Sequence, residues 1–392
     1  MTAAELLSDL VSRPSVNPMG RDVTGPEYFE GRVTEYLQGY FQRLGVKFQT
    51  IEVHPGRCNV LARLDRPGAT TTLLLDAHQD TVPVDGMTIP PFEPVIRDGR
   101  LYGRGACDVK GGMTAMLLAF ERLVREQPAG RANVVVSCTC DEEQTATGAT
   151  DLVKLWTDPA RKGSLLEQAP DLAVVMEPTS LDIVVAHRGA IRWKLRTRGR
   201  ACHSSRPHEG VNAIYKMSRL LVALEKYADW LPTVIPPHPR CGSATFSVGR
   251  IDGGISVNTV PDECTIDIDR RCIPGEDPAA AIPHVIAYLR QQVPDVDFEM
   301  LPPWVTGATL SDHNNGEWAD RLMQHVEAVA GSHQKIGVPY GTNASRFALG
   351  KIPAVVFGPG SIDQAHTRDE WIELSEIDQA ADILFRFCAT AG

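Results

Sequence analysis

The sequence predicts an α/β protein, in which a doubly wound, mostly parallel sheet is interrupted by a smaller α+β domain. Short apolar runs alternate with helical patterns in the first half of the chain, which is typical of a parallel sheet wrapped by helices. This pattern stops near residue 189 and resumes after residue 302. A chain of 392 residues also exceeds the usual size of one domain. We therefore predict one domain formed by 1–188 and 303–392, and an inserted domain at 189–302.

The strands of the first domain are predicted from apolar runs that could be buried on both faces of a sheet. A helical pattern separates the first run from the second, with Met113, Met116 and Phe120 at the spacing of one helix face. The four runs are TTLLLDA at 71–77, NVVVSCTC at 133–140, DLAVVMEP at 171–178 and KIPAVVFGPG at 351–360.

The inserted domain is predicted to contain an antiparallel sheet. The run RWKLRTRGR at 192–200 alternates apolar and charged residues, as expected of a strand with one face in water. A helical pattern follows, then ATFSVGRI, ECTIDIDR, a second helical pattern and VDFEML. Strand, helix, two strands, helix and strand is the element order of a ferredoxin-like unit.

Charge and composition exclude several classes of partner. The formal net charge of −10 and the pI of about 5.6 provide no basic surface for nucleic acid or an anionic membrane. No apolar stretch reaches the roughly 18 residues that a membrane span needs. The N-terminus lacks the pattern of a secretory signal, and nine cysteines without a regular framework suggest reduced thiols. We therefore expect a cytoplasmic protein whose partners are small molecules or other proteins.

Potential metal ligands follow each apolar run of the first domain, where ligands collect in open α/β sheets. Taken singly, each has an ordinary explanation, because a lone histidine is usually a surface or core residue and paired glutamates are commonly solvated. The His-x-Asp spacing is more specific, since a carboxylate bound to the second ring nitrogen orients a ligating imidazole. The candidates are His78, Asp80, Asp108, Asp141, Glu142, Glu143, Glu177 and His366.

The motifs AHQDTVP, GRGACDVKGG, DEE, MEPT and AHTRDEW occur in the order and approximate spacing of a known family. The chain resembles the co-catalytic di-zinc amidohydrolases, which include acetylornithine deacetylase, succinyl-diaminopimelate desuccinylase, aminoacylase and a glutamate carboxypeptidase. The resemblance implies two Zn²⁺ per subunit, for which Co²⁺ can substitute. It assigns one ion to His78, Asp108 and Glu177, and the second to Asp108, Glu143 and His366.

The resemblance also implies roles around the metals. Glu142 would be the general base, Asp80 would orient His78, and a cis peptide bond would follow Asp108. The first domain would then be the catalytic, zinc-binding domain. Two adjacent ions can activate a water for attack on an amide carbonyl, and a free carboxylate can carry its proton to the leaving nitrogen.

In the family, the inserted domain is a lid that also forms the dimer, so the resemblance implies a homodimer. His203 would then stabilise the developing oxyanion in the partner subunit's active site. Arg271 matches the arginine that binds the substrate carboxylate better than Arg270 does. Further predicted substrate contacts are Asn258, Thr342, Asn343 and Gly358.

The predicted activity is removal of the acyl group from an N-acyl amino acid. A dipeptidase or carboxypeptidase of the same family is the alternative, because the metal centre serves either reaction. A non-catalytic scaffold stabilised by metal belongs to a third class, and it would need neither Glu142 nor His203. Ala77 and Asn343 depart from common family residues, which affects the substrate assignment and not the metal ligands.

Overall fold

An eight-stranded sheet organises the larger part of this protein, which a computed structural model describes for residues 1–130, 132–161 and 163–391. The chain divides into two compact units. The first unit comprises Met1–Val185, Ser311–Gly337 and Thr342–Gly392, and the second comprises Ala186–Leu310 and Val338–Gly341. The predicted inserted domain, 189–302, therefore lies within the second unit.

The strands follow one another along the chain as follows: β1 (Lys47–His54), β2 (Arg57–Leu64), β3 (Thr71–His78), β4 (Val95–Arg97), β5 (Arg100–Tyr102), β6 (Ala132–Thr139), β7 (Leu172–Val175), β8 (Ile183–His187), β9 (Gly189–Arg198), β10 (Cys202–His203), β11 (Thr245–Gly253), β12 (Thr259–Val260), β13 (Glu263–Cys272), β14 (Glu299–Met300), β15 (Val305–Thr306), β16 (Lys335–Val338), β17 (Ala354–Val356) and β18 (Trp371–Glu373). The α-helices are α1 (Ala3–Val11), α2 (Gly31–Leu44), α3 (Gly112–Glu126), α4 (Thr147–Thr157), α5 (Ala213–Val234), α6 (Ala281–Gln292), α7 (Gly316–Ala330), α8 (Ala344–Leu349) and α9 (Leu374–Thr390). Within the described residues, no helix has the length and apolar character needed to cross a bilayer.

The large sheet has the strand order β1-β2-β6-β3-β7-β17-β8-β16. Its centre is parallel, because β3 pairs in parallel with both β6 and β7, and β17 pairs in parallel with β7. The flanking pairs β1 with β2, β2 with β6, and β17 with β8 are antiparallel. The central strands are buried along almost their whole length, which explains their continuous apolar sequences. The predicted fold class is confirmed.

Helices cover the sheet of the first unit with apolar faces. Met113, Met116 and Phe120 of α3 are completely buried, as their helical spacing predicts. They belong to the same core cluster as Leu73 and Leu75 of β3. Burial of each such side chain contributes about 1.5–3 kcal/mol. This core anchors the strand whose last residue is His78.

The second unit contains an antiparallel sheet with the order β11-β13-β9-β14. Helices α5 and α6 contribute to its core together with the inward side chains of β9 and β13. The pattern on β9 alternates strictly, with Trp193 and Leu195 buried and Lys194 exposed. The element order β9, α5, β11, β13, α6 and β14 is the one predicted for a ferredoxin-like unit.

Candidate metal centre

The candidate site lies at the carboxyl ends of the central parallel strands. His78 is the last residue of β3, and it lies opposite Thr139, the last residue of β6. The loop after β6 therefore begins beside His78, and it carries Glu142 and Glu143. Glu177 follows β7, the neighbour of β3 on the other side. Parallel pairing thus explains why ligands from distant parts of the sequence reach one edge.

Asp108 lies in the turn Ala106–Gly111, immediately before α3, and its backbone is not helical, with φ of −118° and ψ of 96°. Its Oδ1 atom is 3.1 Å from Nε2 of His78. Its Oδ2 atom is 3.2 Å from Nε2 of His366. The bond from Asp108 to Val109 is cis, as the resemblance implies. One carboxylate therefore presents a separate oxygen to each histidine.

His366 and Glu143 complete the second side of the cluster. Nε2 of His366 is 3.3 Å from Oε2 of Glu143. Potential ligand atoms of His78, Asp108 and Glu143 lie within 4.8 Å of one another. Glu177 is buried, and its negative charge acts on the pKa of His78. The structure thus brings four of the predicted metal ligands within about 3.3 Å of a neighbour in the cluster, and the buried Glu177 is near enough for its charge to act on His78.

The pKa values of the carboxylates reflect buried negative charge. Burial, opposed by His78 and reinforced by nearby carboxylates, raises the pKa of Glu142 to about 8 and that of Glu143 to about 7. Burial and the charge of Asp108 raise the pKa of Glu177 well above its usual value. A divalent cation would stabilise the ionised form of each of these groups.

The histidines respond to the same charges. Hydrogen bonds with Asp108 and Glu143 raise the pKa of His366 to about 11. Burial alone would lower the pKa of His78, but contacts with Asp108 and Asp80 raise it well above its usual value. The oxygen Oε1 of Glu143 is buried without a hydrogen-bond partner among the described residues. Imidazole nitrogens, carboxylate oxygens and an oxygen that lacks a partner fit a zinc-type cation.

Asp80 supports both His78 and the loop after β6. Nδ1 of His78 is 2.9 Å from the backbone oxygen of Asp80 and 3.5 Å from its carboxylate oxygen Oδ1. The backbone oxygen therefore makes the closer contact, whereas the His-x-Asp spacing predicted the carboxylate. The carboxylate accepts hydrogen bonds from the backbone N–H groups of Glu142 at 3.0 Å and Glu143 at 3.2 Å. Asp80 thus aligns two consecutive acidic residues beside His78.

A buried polar network behind Asp80 was not predicted from the sequence. Asn17 donates to Asp80 at 2.8 Å and to Asp141 at 3.0 Å. Arg57 pairs with Asp141 at 2.8 Å and, through two nitrogens, with Glu30. Asp141 has a positive φ of 61°, and these contacts hold it in that uncommon conformation. No local motif marks Asn17, Glu30 or Arg57 for this role.

Glu370 was also missed, although it lies in the quoted motif AHTRDEW. It is completely buried, and its carboxylate accepts hydrogen bonds from the segment that contains Asp108. No sequence pattern around Glu370 indicates that it is buried, so its role is evident only from its contacts in the structure.

The predicted substrate residues of the first unit are close to the strand ends. The amide of Asn343 donates to Asp76 at 3.1 Å and to Thr139 at 3.0 Å, so its nitrogen is engaged within the protein. Thr342 is buried beside it. At Gly358, a Cβ atom would lie 2.6 Å from the backbone oxygen of Glu177, so close packing requires glycine there. Contact of these residues with substrate stays a prediction.

The second unit contains His203, Asn258 and Arg271. His203 is exposed, and its Nδ1 is 2.7 Å from the hydroxyl of Ser205. The backbone of Ser204 donates to the backbone oxygen of Asn258 at 2.9 Å, so these predicted residues lie on adjacent segments. Arg271 is partly exposed and bonds to Asp269 at 2.7 Å. Arg270 is buried and paired with Glu276, which makes Arg271 the accessible arginine of the two.

Comparison with known proteins agrees with this geometry. Residues 74–390 match the family described as "Peptidase family M20/M25/M40". Acetylornithine deacetylase of Vibrio campbellii is 31% identical over 394 residues, covering 97% of this chain and 96% of the relative.

Solved structures show the same fold. A tripeptidase from Staphylococcus aureus has a TM-score of 0.77 and 20% identity, with 98% of each chain covered. A Bacillus subtilis protein described as a dinuclear metal-binding peptidase of the M20 family has a TM-score of 0.70 and 15% identity, covering 99% of this chain and 96% of its own. At these identities the structural likeness establishes the fold.

Proposed function

Because this chain belongs to peptidase family M20/M25/M40, whose members are metal-dependent hydrolases of amide bonds, we propose that it removes the acyl group from an N-acyl amino acid. The family resemblance drawn from the motifs is confirmed. Asp108 carries the proposal, because its two oxygens face His78 and His366 separately. Identity of 31% with an acetylornithine deacetylase, over nearly the full length of both chains, supports N-acetylornithine as the first substrate to test.

We propose that two zinc ions bind here and that cobalt can replace them. One would be held by His78, Asp108 and Glu177, and the other by Asp108, Glu143 and His366. The donor set of nitrogen and carboxylate oxygen atoms supports this assignment. Such a pair of ions polarises an amide carbonyl and lowers the pKa of a water that it binds.

Glu142 is the proposed general base. Its backbone N–H is fixed by Asp80, next to the proposed ligand Glu143. Its carboxylate, unlike that of Glu143, forms no hydrogen bond with His78 or His366 within the part of the chain that the structure describes. It is therefore available to take a proton from the attacking water and to deliver it to the leaving nitrogen.

We propose that the second unit supplies the remaining substrate contacts. The exposed His203 would donate to the developing oxyanion, and Arg271 would bind a substrate carboxylate. Asn258 would contribute its side-chain amide, since its backbone lies beside the His203 segment. Thr342, Asn343 and Gly358 are the proposed contacts from the first unit.

A homodimer is part of the proposal. The strand β11 lies at the edge of its sheet, and the loop that follows it exposes large apolar side chains. Ile255 is 89% exposed and Val257 is fully exposed. Exposed apolar residues beside an open strand edge favour association with another chain.

The nine free cysteines fit the reducing cytoplasm, where we propose that the protein acts.

The metal requirement is tested by removal and return of the ions. Treatment with a chelator should abolish amide hydrolysis, and Zn²⁺ or Co²⁺ should restore it with about two ions per chain. Full activity in the metal-free protein would contradict the proposed centre.

The substrate class is tested with purified protein and a panel of amides. We expect faster turnover of N-acetylornithine than of N-succinyl-diaminopimelate, other N-acetyl amino acids or dipeptides. Negligible turnover of every acylated amino acid, together with rapid dipeptide cleavage, would instead establish the dipeptidase alternative.

The role of His203 across the dimer is tested by mixing two inactive variants, Glu142→Ala and His203→Ala. A hybrid dimer has one catalytic centre with an intact Glu142 and an intact His203 from the other subunit. Random reassociation should therefore restore about a quarter of the wild-type activity. If His203 acted within its own subunit, every active site of the hybrid would lack either Glu142 or His203. Activity would then stay absent after mixing.

A further inference from the structure

The carboxylate of Glu370 lies against the segment that positions Asp108. Its Oε1 accepts hydrogen bonds from the backbone N–H groups of Cys107 at 2.8 Å and Asp108 at 3.0 Å. Its Oε2 accepts from the backbone N–H of Gly105 at 3.0 Å and from Nη1 of Arg104 at 2.7 Å. One side chain thus binds three backbone amides within four consecutive residues.

Burial makes these contacts strong. Glu370 is completely buried, and its partner Arg104 is only 3% exposed. A buried carboxylate is costly unless its charge is paired and its oxygens accept hydrogen bonds. Here both conditions are met, and all four donors belong to the short segment before α3. Charge-assisted bonds of this kind are shorter and stronger than neutral ones.

Glu370 also connects this segment to the loop of His366. It lies four residues after His366 and directly before β18, which pairs with β5. Its backbone oxygen accepts from the backbone N–H of Gly103 at 3.0 Å. The backbone and side chain of one residue therefore link the loop of His366 to the loop of Asp108.

We propose that Glu370 is a positioning residue that fixes the backbone of Asp108, so that its two oxygens face His78 and His366 before any metal ion binds. This inference rests on the proposed metal centre. Glu370 has no hydrogen bond or ion pair with either histidine among the described residues, and its effect passes through the backbone N–H of Asp108. Residues that orient metal ligands in this way typically change metal affinity by about 10–100-fold when replaced.

The substitution Glu370→Gln keeps the shape of the side chain but changes its capacity to accept hydrogen bonds. All four partners of the carboxylate are donors, and an amide has only one accepting oxygen. Whichever way the amide is turned, its NH₂ group faces two donors. Glu370→Asp keeps the charge but shortens the side chain by one methylene. It therefore provides a milder form of the same test.

Glu373→Gln is the matched control. Glu373 lies three residues further on, at the end of β18, and pairs with Arg100 at 2.6 Å. Like Glu370, which pairs with the buried Arg104, it has an arginine partner, but both members of its pair are partly exposed and it makes no hydrogen bond to residues 105–108. The same chemical change is thus made beside the segment without disturbing its amides.

Two measurements test the proposal. The first is the dissociation constant for Co²⁺, measured by competition with a chelating dye, which should rise by about 10–100-fold in Glu370→Gln and less in Glu370→Asp. The second is hydrogen exchange of peptides from 103–111 in chelator-treated protein. Exchange there should accelerate in Glu370→Gln while peptides of the central sheet exchange as in the wild type. Glu373→Gln should match the wild type in both measurements.

Unchanged Co²⁺ affinity and unchanged exchange at 103–111 in either folded Glu370 variant would overturn the proposal. Accelerated exchange throughout the first unit would also overturn it, because that result indicates general destabilisation. If Glu370→Gln does not fold, Glu370→Asp decides the question by the same criteria. If the wild-type protein binds no Co²⁺, the proposed metal centre fails, and exchange at 103–111 still decides whether Glu370 fixes the segment.

Discussion

His78 and His366 contact the same carboxylate from opposite environments. The side chain of His78 is 2% exposed at the end of a buried strand, whereas that of His366 is 52% exposed on a loop. His78 is surrounded by the core of the large sheet and by Asp80. His366 is held by Asp108 and Glu143 alone among the described residues, with a positive φ of 61°. The cluster thus combines a buried side with an accessible side, as a site that admits substrate requires.

The largest expected effect is on kcat and comes from replacing Glu142, whose carboxylate forms a hydrogen bond with neither His78 nor His366 among the described residues. Glu142→Ala should lower kcat by about 10²–10⁴-fold, because proton transfer loses its base. Its metal content should equal that of the wild type. The neighbouring variant Glu143→Ala should instead lose metal from the His366 side. Kinetics and metal analysis of both variants make the test, and loss of metal from Glu142→Ala would contradict its role as base.

The stability of the buried His78 side depends on the ion pairs of Arg57 with Glu30 and Asp141. Replacement of Arg57 with Met should lower the free energy of unfolding by about 3–5 kcal/mol, because Glu30 and Asp141 would be buried without their partner. Arg63→Met, on the same strand, removes a pair with the half-exposed Asp65 and should cost less than about 1 kcal/mol. Denaturant unfolding measures both. Equal effects would show that the buried network contributes no more stability than the exposed pair.

Replacing the two histidines compares the two sides directly. In chelator-treated protein, His78→Ala should lower the free energy of unfolding by about 3 kcal/mol, because buried Asp80 and Asp108 lose a partner. His366→Ala should lower it by less than about 1 kcal/mol, since its side chain is half in water. Both variants should bind metal more weakly than the wild type. Similar unfolding free energies for the two variants would contradict the proposed difference in stability between the buried side and the exposed side.

His187 sharpens the comparison as a buried histidine outside the cluster. Burial lowers its pKa to about 4 from 6.5, whereas carboxylates raise the pKa of the equally buried His78. Between these two pH values the unfolded chain binds a proton that the folded chain excludes. Protonation of His187 therefore does not reduce the free energy of unfolding above pH 6.5, and it lowers that free energy as the pH decreases toward about 4.

The expected slope for His187 is about 1.4 kcal/mol per pH unit. His187→Gln should remove that part of the pH dependence of unfolding, measured by denaturant titration between pH 7 and pH 5. Parallel curves for the variant and the wild type would show that His187 is protonated to the same extent in both states.

The positions of three candidate ligands could be predicted, because each follows a strong local signal. His78, Glu143 and Glu177 come directly after apolar runs, and parallel strands place their carboxyl ends at one edge. The supporting residues lacked such a signal. Glu370 contacts a segment 262–266 residues earlier in the chain, and Arg57 contacts Asp141 across 84 residues. Periodicity reports on local burial and carries no information about such distant hydrogen bonds.

The sequence by itself determined the sheet and the edge at which His78, Glu143 and Glu177 lie, because apolar periodicity dictates which faces are buried. Only the tertiary structure decided which polar atoms meet there. Asp108 divides its oxygens between two histidines, and Asn343 points its amide nitrogen to Asp76. Loop paths produce these contacts, including positive φ angles at Asp141 and His366 that no residue pattern announces. Buried polar groups must find partners wherever the folded chain brings them, and that requirement acts only once the fold exists.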